Sequence, residues 1–390
     1  MVVARLAGRR LRRLLRIFPA VAVCGPRQCG KTTLVRSLYP RAEIFDLERP
    51  SDLRRLEADP EHLLRSLKPP VILDEAQRMP ELFPILRALI DERRAQPGRF
   101  VLLGSTHPDL ARRISETLAG RIGFLDLDPF SYLEVAGHGV TLGDLWLRGG
   151  LPDPCLILDR RARQEWMESY FRTFVERDLA GLGVEVSVPQ LRRFWYMLAA
   201  AHGSIWNASE FGRSLGLSYH TVSRYADILE HGFLLRRLGP YFVNLGKRLV
   251  KSPKVYLTDT GLLHAFIGIE TARQLDVSLG RGASWEGFVI EQIIRREKLA
   301  HPESRFYFWR TATGQEVDLI VERPRRRVGI EIKLGSRVDP ADWKTLRYAI
   351  DALHLDRAYL VNQADKPYSP LPGLEVVPAG RLMGATRWDL

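Results

Sequence analysis

Cysteine is scarce in this sequence and long apolar runs are missing from it. Cys24, Cys29 and Cys155 are the only three cysteines in 390 residues. They have neither the paired spacing of a metal site nor the number for a disulfide framework. No apolar run approaches the roughly 20 residues that span a bilayer. Arg5, Arg9, Arg10, Arg12, Arg13 and Arg16 make the N-terminus basic, but the continuous apolar core of a signal peptide is lacking. Leu6, Leu11, Leu14, Leu15 and Phe18 recur instead at helical spacing, which predicts an amphipathic helix packed on the first domain. These absences predict a cytoplasmic protein without membrane contact.

What is present is a globular composition, with 45% hydrophobic residues and a formal net charge of +12. The length exceeds one ordinary core and predicts two to three domains. The charge favours a polyanionic partner. Arginine is spread along the chain, however, and a generally solvated basic surface accounts for it equally well.

One stretch organises the rest. Val21 to Cys24 reads as a buried strand, and Leu34, Val35 and Leu38 have helical spacing. Between them Gly25-Pro26-Arg27-Gln28-Cys29-Gly30-Lys31-Thr32, followed by Thr33, matches G-x-x-x-x-G-K-T. The glycines let the backbone curl around an anion, and the N–H groups and helix N-terminus point at phosphates. Lys31 can reach the β- and γ-phosphates, and the Thr32 hydroxyl can complete a Mg²⁺ shell. The cofactors expected are ATP and Mg²⁺.

Ile44 to Asp46 reads as a second strand and Leu53 to Leu67 as a helix. After Pro69-Pro70, the run Val71 to Leu73 ends in Asp74-Glu75. At a strand terminus behind a P-loop, Asp74 would hold Mg²⁺ through water and Glu75 would polarise the attacking water. Phe83 to Ile90 reads as a helix and Phe100 to Thr106 as a buried strand with a polar end. Ser105 or Thr106 stands where a γ-phosphate sensor would be. Either hydroxyl could also cap the helix that follows. A short strand is predicted over Gly123 to Leu127.

Together Gly25 to Thr33, Ile72 to Gln77, Leu103 to Thr106, Ala119 to Arg121 and Leu127 to Glu134 resemble a family of prokaryotic AAA+-type P-loop ATPases. Members carry a C-terminal domain of unknown function with a nuclease-like tail. The resemblance implies a parallel sheet flanked by helices over residues 1–130 and a small helical lid over 131–180. It also implies a role for Arg121, as an arginine finger acting on a neighbouring subunit of a homo-oligomer or as a within-chain sensor. A structural arginine bound to a carboxylate is the alternative. The polar sensor would be Ser105, where many AAA+ proteins use Asn.

From Val188 the pattern is helical, and residues 181–254 read as a winged helix. Leu191, Phe194, Leu198 and Ala199 share one face, and Ser209 to Leu215 makes a second helix with a serine cap. After the Gly216 to Ser218 turn, a third helix runs from Tyr219 to Leu229. Phe233 to Leu238 and Pro240 to Val243 read as the wing. In a major groove Tyr219, His220, Thr221, Ser223 and Arg224 would lie on the exposed face, with Lys247, Arg248 and Lys251 on phosphates. The alternative is a packing or protein-contact module.

Residues 255–390 predict strands at Glu316 to Glu322 and Arg327 to Leu334, behind an apolar helix that opens with Trp285-Glu286. Strand side chains alternate, so Glu331 and Lys333 share the face opposite Ile330 and Ile332. A hairpin would bring Asp318 beside Glu331. An acid followed by E-x-K on the next strand resembles the PD-(D/E)xK nuclease superfamily, with Glu286 as the helix acid. Such carboxylates bind Mg²⁺, and Lys333 would stabilise charge at the scissile phosphate.

The fold class predicted is therefore α/β: a P-loop AAA+-type ATPase domain with a helical lid, then a winged helix, then a restriction-endonuclease-like α/β domain. The function predicted is ATP hydrolysis through Lys31 and Glu75, coupled to modules that bind DNA, with cleavage by the nuclease-like domain left open. The alternative is an ATP-switched regulatory protein whose nuclease-like domain does not cut.

Overall fold

The computed structural model describes residues 2–104, 116–173, 187–242 and 251–390. The chain forms two compact units, Met1–Phe130 with His231–Phe233, and Ser131–Glu230 with Leu234–Leu390.

In the first unit α1 (Ala7–Leu14) buries Leu11 and Leu14 and turns Arg9, Arg12 and Arg13 to solvent, as its periodicity predicts. Then come β1 (Ala20–Cys24), α2 (Lys31–Leu38), β2 (Ile44–Asp46), α3 (Pro50–Ala58), α4 (Pro60–Ser66), β3 (Val71–Asp74), α5 (Leu82–Glu92), β4 (Phe100–Gly104) and β5 (Ile122–Asp126). The single helix expected over Leu53 to Leu67 is two. Pro60 cannot continue a helix because it has no N–H and its ring clashes with the preceding turn. It opens a new one instead, capped by Asp59, which accepts the His62 N–H at 3.0 Å. The five strands are parallel, in the order β2-β3-β4-β1-β5. β1, β3 and β4 are buried at every residue, as continuous apolar runs in a helix-covered parallel sheet should be. Strand order then sets the chemistry. With all strands parallel, the loop after β1 and the acidic end of β3 open on one edge, one strand apart across β4.

The second unit begins with helices α6 (Tyr132–Val135), α7 (Leu142–Arg148), α8 (Pro152–Leu156), α9 (Arg160–Thr173), α10 (Val188–Ala200), α11 (Ala208–Leu215) and α12 (Tyr219–His231). It continues with β6 (Leu235–Pro240), β7 (Lys254–Leu257), α13 (Thr260–Phe266), α14 (Ala272–Val277) and α15 (Arg281–Ala300). The chain ends with β8 (Arg305–Arg310), β9 (Glu316–Arg323), β10 (Arg326–Ile332), α16 (Pro340–Leu353), β11 (Arg357–Asn362), β12 (Tyr368–Leu371), β13 (Leu374–Pro378) and α17 (Ala379–Gly384). Its eight strands form one mixed sheet, β12-β13-β11-β10-β9-β8-β6-β7.

Packing in this unit is more continuous than a chain of separate lid, winged-helix and nuclease-like modules. The described part of the expected lid is tied into the later helices. The Trp146 indole N–H donates to Ser284 Oγ at 3.0 Å, and its ring meets Trp285 edge-on at 4.9 Å. The buried Asp259 carboxylate accepts the N–H groups of Gly150 (2.7 Å), Leu151 (3.1 Å) and, at the start of α13, Leu262 (3.2 Å). Buried N–H groups need such a partner. The wing is not the one expected: Pro240 ends β6, and the antiparallel partner of β6 is β7 rather than the run Pro240 to Val243. β6 pairs antiparallel with β7 from Leu235↔Leu257 to Leu238↔Lys254, then runs parallel to β8 at Gly239↔Tyr307 and Pro240↔Phe308. An open sheet edge leaves N–H and C=O groups unpaired, and the end of β6 covers part of the β8 edge at these two positions. The cap of α11 is Asn207, whose side chain accepts the Glu210 N–H at 3.2 Å, two residues earlier than the serine expected.

Candidate functional site

The phosphate loop is built from conformations that other residues avoid. Gly30 lies at φ +92° directly before α2, in the left-handed region open to glycine. A Cβ on Gly25 would sit 2.2 Å from the Leu127 carbonyl oxygen, so the loop lies against the chain after β5 only because that residue has no side chain. Arg5 clamps the loop from below, donating to the carbonyls of Cys29 (2.8 Å) and Asp128. Arg27 faces Glu48 at 3.6 Å, Gln28 takes φ +59°, and Pro26 and Cys29 close the turn through a Cys29 N–H bond to the Pro26 carbonyl. The Lys31 ammonium is buried and donates to the Gly25 and Pro26 carbonyls, both at 3.0 Å. The opening N–H groups of α2, through Thr33, have no carbonyl behind them within the helix. The result is an anion cradle with its cation held by the loop itself.

The acidic half meets it across β4. Thr32 Oγ1 donates to Asp74 Oδ2 at 2.6 Å, a contact between residues 42 apart in sequence. Asp74 Oδ1 accepts the Glu75 N–H at 3.1 Å. Glu75 takes φ +54°, uncommon for a residue with a side chain, and its carboxylate accepts from the Gln77 amide. Burial pushes the Asp74 carboxyl up, against the Thr32 hydroxyl and the Lys31 charge. Burial also raises Glu75, against Lys31 and Gln77. A hydroxyl and a carboxylate that share one proton beside a phosphate cradle are the donor set of a hard divalent cation. The residues present therefore fit ATP·Mg²⁺. Gly25, Pro26, Arg27, Gln28, Cys29, Gly30, Lys31, Thr32, Thr33, Asp74 and Glu75 come together at one edge of the sheet.

Arg121 does not join them. It precedes β5, at the end of the sheet opposite the loop, and holds Asp91 through Nε (2.8 Å) and Nη2 (2.9 Å). It cannot reach the phosphate loop of its own chain, which removes the within-chain sensor role. Ser105 and Thr106 lie outside the described residues.

A second cluster lies in the other unit. The rung beyond Leu319↔Ile330 sets Asp318 opposite Glu331, as the strand alternation predicts. Asp318 Oδ2 accepts the Ile332 N–H at 2.8 Å, and Lys333 reaches Glu331 Oε1 at 3.0 Å. Glu286 on α15 joins them. Three further residues complete the cluster that the sequence did not single out: Lys254, Tyr256 and Glu316. Lys254 is buried on β7. Its ammonium lies 2.9 Å from Glu286 Oε1 and 3.8 Å from Asp318 Oδ1, and is also paired with Glu316. The Tyr256 hydroxyl donates to Glu286 Oε1 at 2.6 Å. Burial and the nearby Glu286 and Glu331 charges push Asp318 well above the usual carboxylate range. Burial lifts Glu331 to about 7, with Lys333 opposing. Among the described residues no group of three His, Cys, Asp or Glu is disposed to hold a metal ion. Asp318, Glu331 and Glu286 do meet, then, but Glu286 and Asp318 face the Lys254 ammonium and Glu331 that of Lys333. Glu316 was legible, since it shares a strand face with Asp318. Lys254 was not, because nothing local ties β7 to this cluster.

At the start of α12, Tyr219, His220 and Arg224 are exposed, while Thr221 is half-buried with its N–H on Ser218 Oγ at 3.1 Å. Lys247 and Arg248 lie outside the described residues. No described helix is long and apolar enough to cross a membrane.

A buried strand, a glycine loop, a helix and an acidic pair on β3 define a P-loop ATPase fold. An AAA domain model matches residues 18–136, and two domains of unknown function match 140–273 (DUF8612) and 281–382 (DUF4143). The uncharacterised proteins Rv2008c of Mycobacterium tuberculosis and Mb2031c of Mycobacterium bovis are each 42% identical over 380 residues, covering 97% of this chain and 84% of theirs. The chain belongs to the family of these mycobacterial proteins, a family of P-loop AAA+ ATPases. Among solved structures, the Walker-type ATPase PABY2304 of Pyrococcus abyssi is 16% identical with a TM-score of 0.47, over 68% of this chain and 96% of that one.

Proposed function

We propose that the chain binds and hydrolyses ATP and uses the cycle to act on DNA through its second unit. The observation that carries the ATPase reading is the Thr32–Asp74 hydrogen bond with Glu75 directly behind it. Lys31 would exchange its loop carbonyls for phosphate oxygens, and Glu75 would take the proton of the attacking water. Mg²⁺, held by Thr32 and Asp74, would supply positive charge to the phosphates when bound. Catalysis in such a site is mostly positioning and electrostatics, and the Arg5 clamp and the glycine cradle supply rigidity for both. Arg121 can contribute only to a neighbouring chain of a homo-oligomer.

The DNA reading rests on two arrangements. α10, α11, α12 and the β6–β7 hairpin have the order of a winged helix, with Tyr219, His220 and Arg224 exposed at the start of its third helix. The order α15-β8-β9-β10-α16-β11 supports a restriction-endonuclease-like core, with Glu286, Asp318, Glu331 and Lys333 as its site. One observation favours the second reading, an ATP-switched regulator with a non-cutting domain: the cation among the acids is Lys254. Phosphate release by the full chain with and without duplex DNA tests the coupling. The DNA-coupled reading expects DNA to change the ATPase rate and ATP to change DNA affinity. Independence of the two would leave the regulator.

A further inference from the structure

The cluster around Lys254 is an odd place for a lysine. Four acids meet there: Glu286, Glu316, Asp318 and Glu331. Facing them are Lys254, Lys333 on Glu331 and Arg310 on Glu316 at 3.4 Å. Counted as ionised, the group is short of one positive charge. The shortfall has an address: Glu331 is 8% exposed, and its Oε2 is buried with no hydrogen-bond partner. Buried carboxylate oxygens without partners are rare because desolvation makes them costly. Lys254 therefore faces three of the acids, while the fourth, Glu331, is paired through Oε1 alone, with Lys333.

Lys254 is held there by more than charge. Its backbone pairs with Leu238 on one side and with Ile205 on the other. Its stem runs past the Phe308 ring, with the ammonium 5.8 Å from the ring centre, and Tyr256, two residues on, donates to Glu286. The lysine thus comes from a fixed strand of the hairpin and fills the space that Glu286 and Asp318 enclose.

We infer that Lys254 is a built-in cation that keeps divalent metal out of a latent metal site formed by Glu286, Asp318 and Glu331. The inference rests on the nuclease-like reading of that site. A divalent ion in place of the ammonium would bring the charge count to balance and give Glu331 Oε2 a partner. A divalent ion added beside the ammonium would overshoot and be repelled by it. In the arrangement with Lys254 seated, the acids serve the fold and no metal is available for phosphodiester chemistry. Whatever withdraws Lys254 turns the site on.

The test is Mn²⁺ titration of the nucleotide-free full chain, read by calorimetry and by the electron paramagnetic resonance signal of free Mn²⁺. Four proteins are compared: the unmodified chain, Lys254→Met, Asp318→Asn and the Lys254→Met/Asp318→Asn double variant. The unmodified chain and Asp318→Asn should give the same isotherm. Lys254→Met should take up one further Mn²⁺ per chain that the unmodified chain does not bind, and the double variant should lose it. If the unmodified chain already binds one Mn²⁺ that Asp318→Asn removes, the lock is wrong and the metal-site reading survives. If Lys254→Met folds and gains no Mn²⁺, the latent site and the nuclease-like reading fall together. Should Lys254→Met not fold, Glu316→Gln decides. It loosens Lys254 without touching the three acids and should admit an Mn²⁺ that the unmodified chain does not bind. No change in Glu316→Gln would overturn the inference.

Discussion

Replacing Glu75 by Gln probes the site at its most exposed assumption. The substitution keeps the shape and removes the charge. Lys31, Thr32 and Asp74, the residues proposed to hold phosphate and metal, are untouched, so ATP affinity should stay within about threefold. A positioned base contributes about 10²–10⁴ in rate, so turnover should fall by that factor. At about 1.4 kcal/mol per tenfold, the loss is roughly 3–5 kcal/mol of barrier. The pH profile supplies an independent readout. Burial raises the Glu75 carboxyl above its ordinary 4.5, and only the deprotonated form can accept a proton. Hydrolysis should therefore decline on acidification with a midpoint above that of an ordinary glutamate, and the residual activity of Glu75→Gln should lack that limb. Gln77→Ala removes a hydrogen bond that favours the charged carboxylate, so it should move the limb further up. Phosphate release at saturating ATP across the pH range, with nucleotide affinity from a fluorescent analogue, measures all three. Wild-type turnover by Glu75→Gln, or the same acid limb in it, would refute the base assignment. Glu75→Gly adds a structural check. With φ at +54°, glycine should stabilise the fold by about 1 kcal/mol while hydrolysis is lost.

Lys31→Ala should abolish nucleotide binding with the melting temperature little changed, since its ammonium bonds only loop carbonyls; retained ATP affinity would sink the cradle. Asp259→Ala should cost roughly 3 kcal/mol or more in denaturant unfolding, because up to three N–H groups lose their acceptor at about 1–3 kcal/mol each. Arg121→Ala and Asp91→Ala should change ATP turnover alike and by less than about twofold if the pair is structural, whereas an arginine finger is worth about 10³ or more and would appear in Arg121→Ala alone. Arg224→Ala should weaken duplex binding and lower the slope of log affinity against log salt by about 1; an unchanged slope would move the phosphate contact elsewhere.

The nucleotide half was legible because its signals are local. The run Val21 to Cys24, the two glycines and the helix behind them act within a dozen residues, and backbone sterics at Gly25 and Gly30 leave little choice. Arg121 shows where local reading stops. Its short motif says nothing about which end of β5 faces the loop, and only the parallel sheet puts it at the far end. The helix expected through Leu67 failed for the opposite reason: a strictly local breaker, Pro60, was outweighed by apolar spacing.

Sequence alone determined which residues could do phosphate chemistry and which faces of β9 and β10 carry acids, because side-chain alternation along a strand follows from backbone geometry. Tertiary structure decided what those residues meet. β4, inserted between β1 and β3, brings Thr32 within hydrogen-bond reach of Asp74. The β6–β7 hairpin, added to the edge of the large sheet, delivers Lys254 to Glu286, 32 residues away. Pairing between distant strands depends on which open edge is left to satisfy, and that is a property of the assembled sheet rather than of any stretch of sequence.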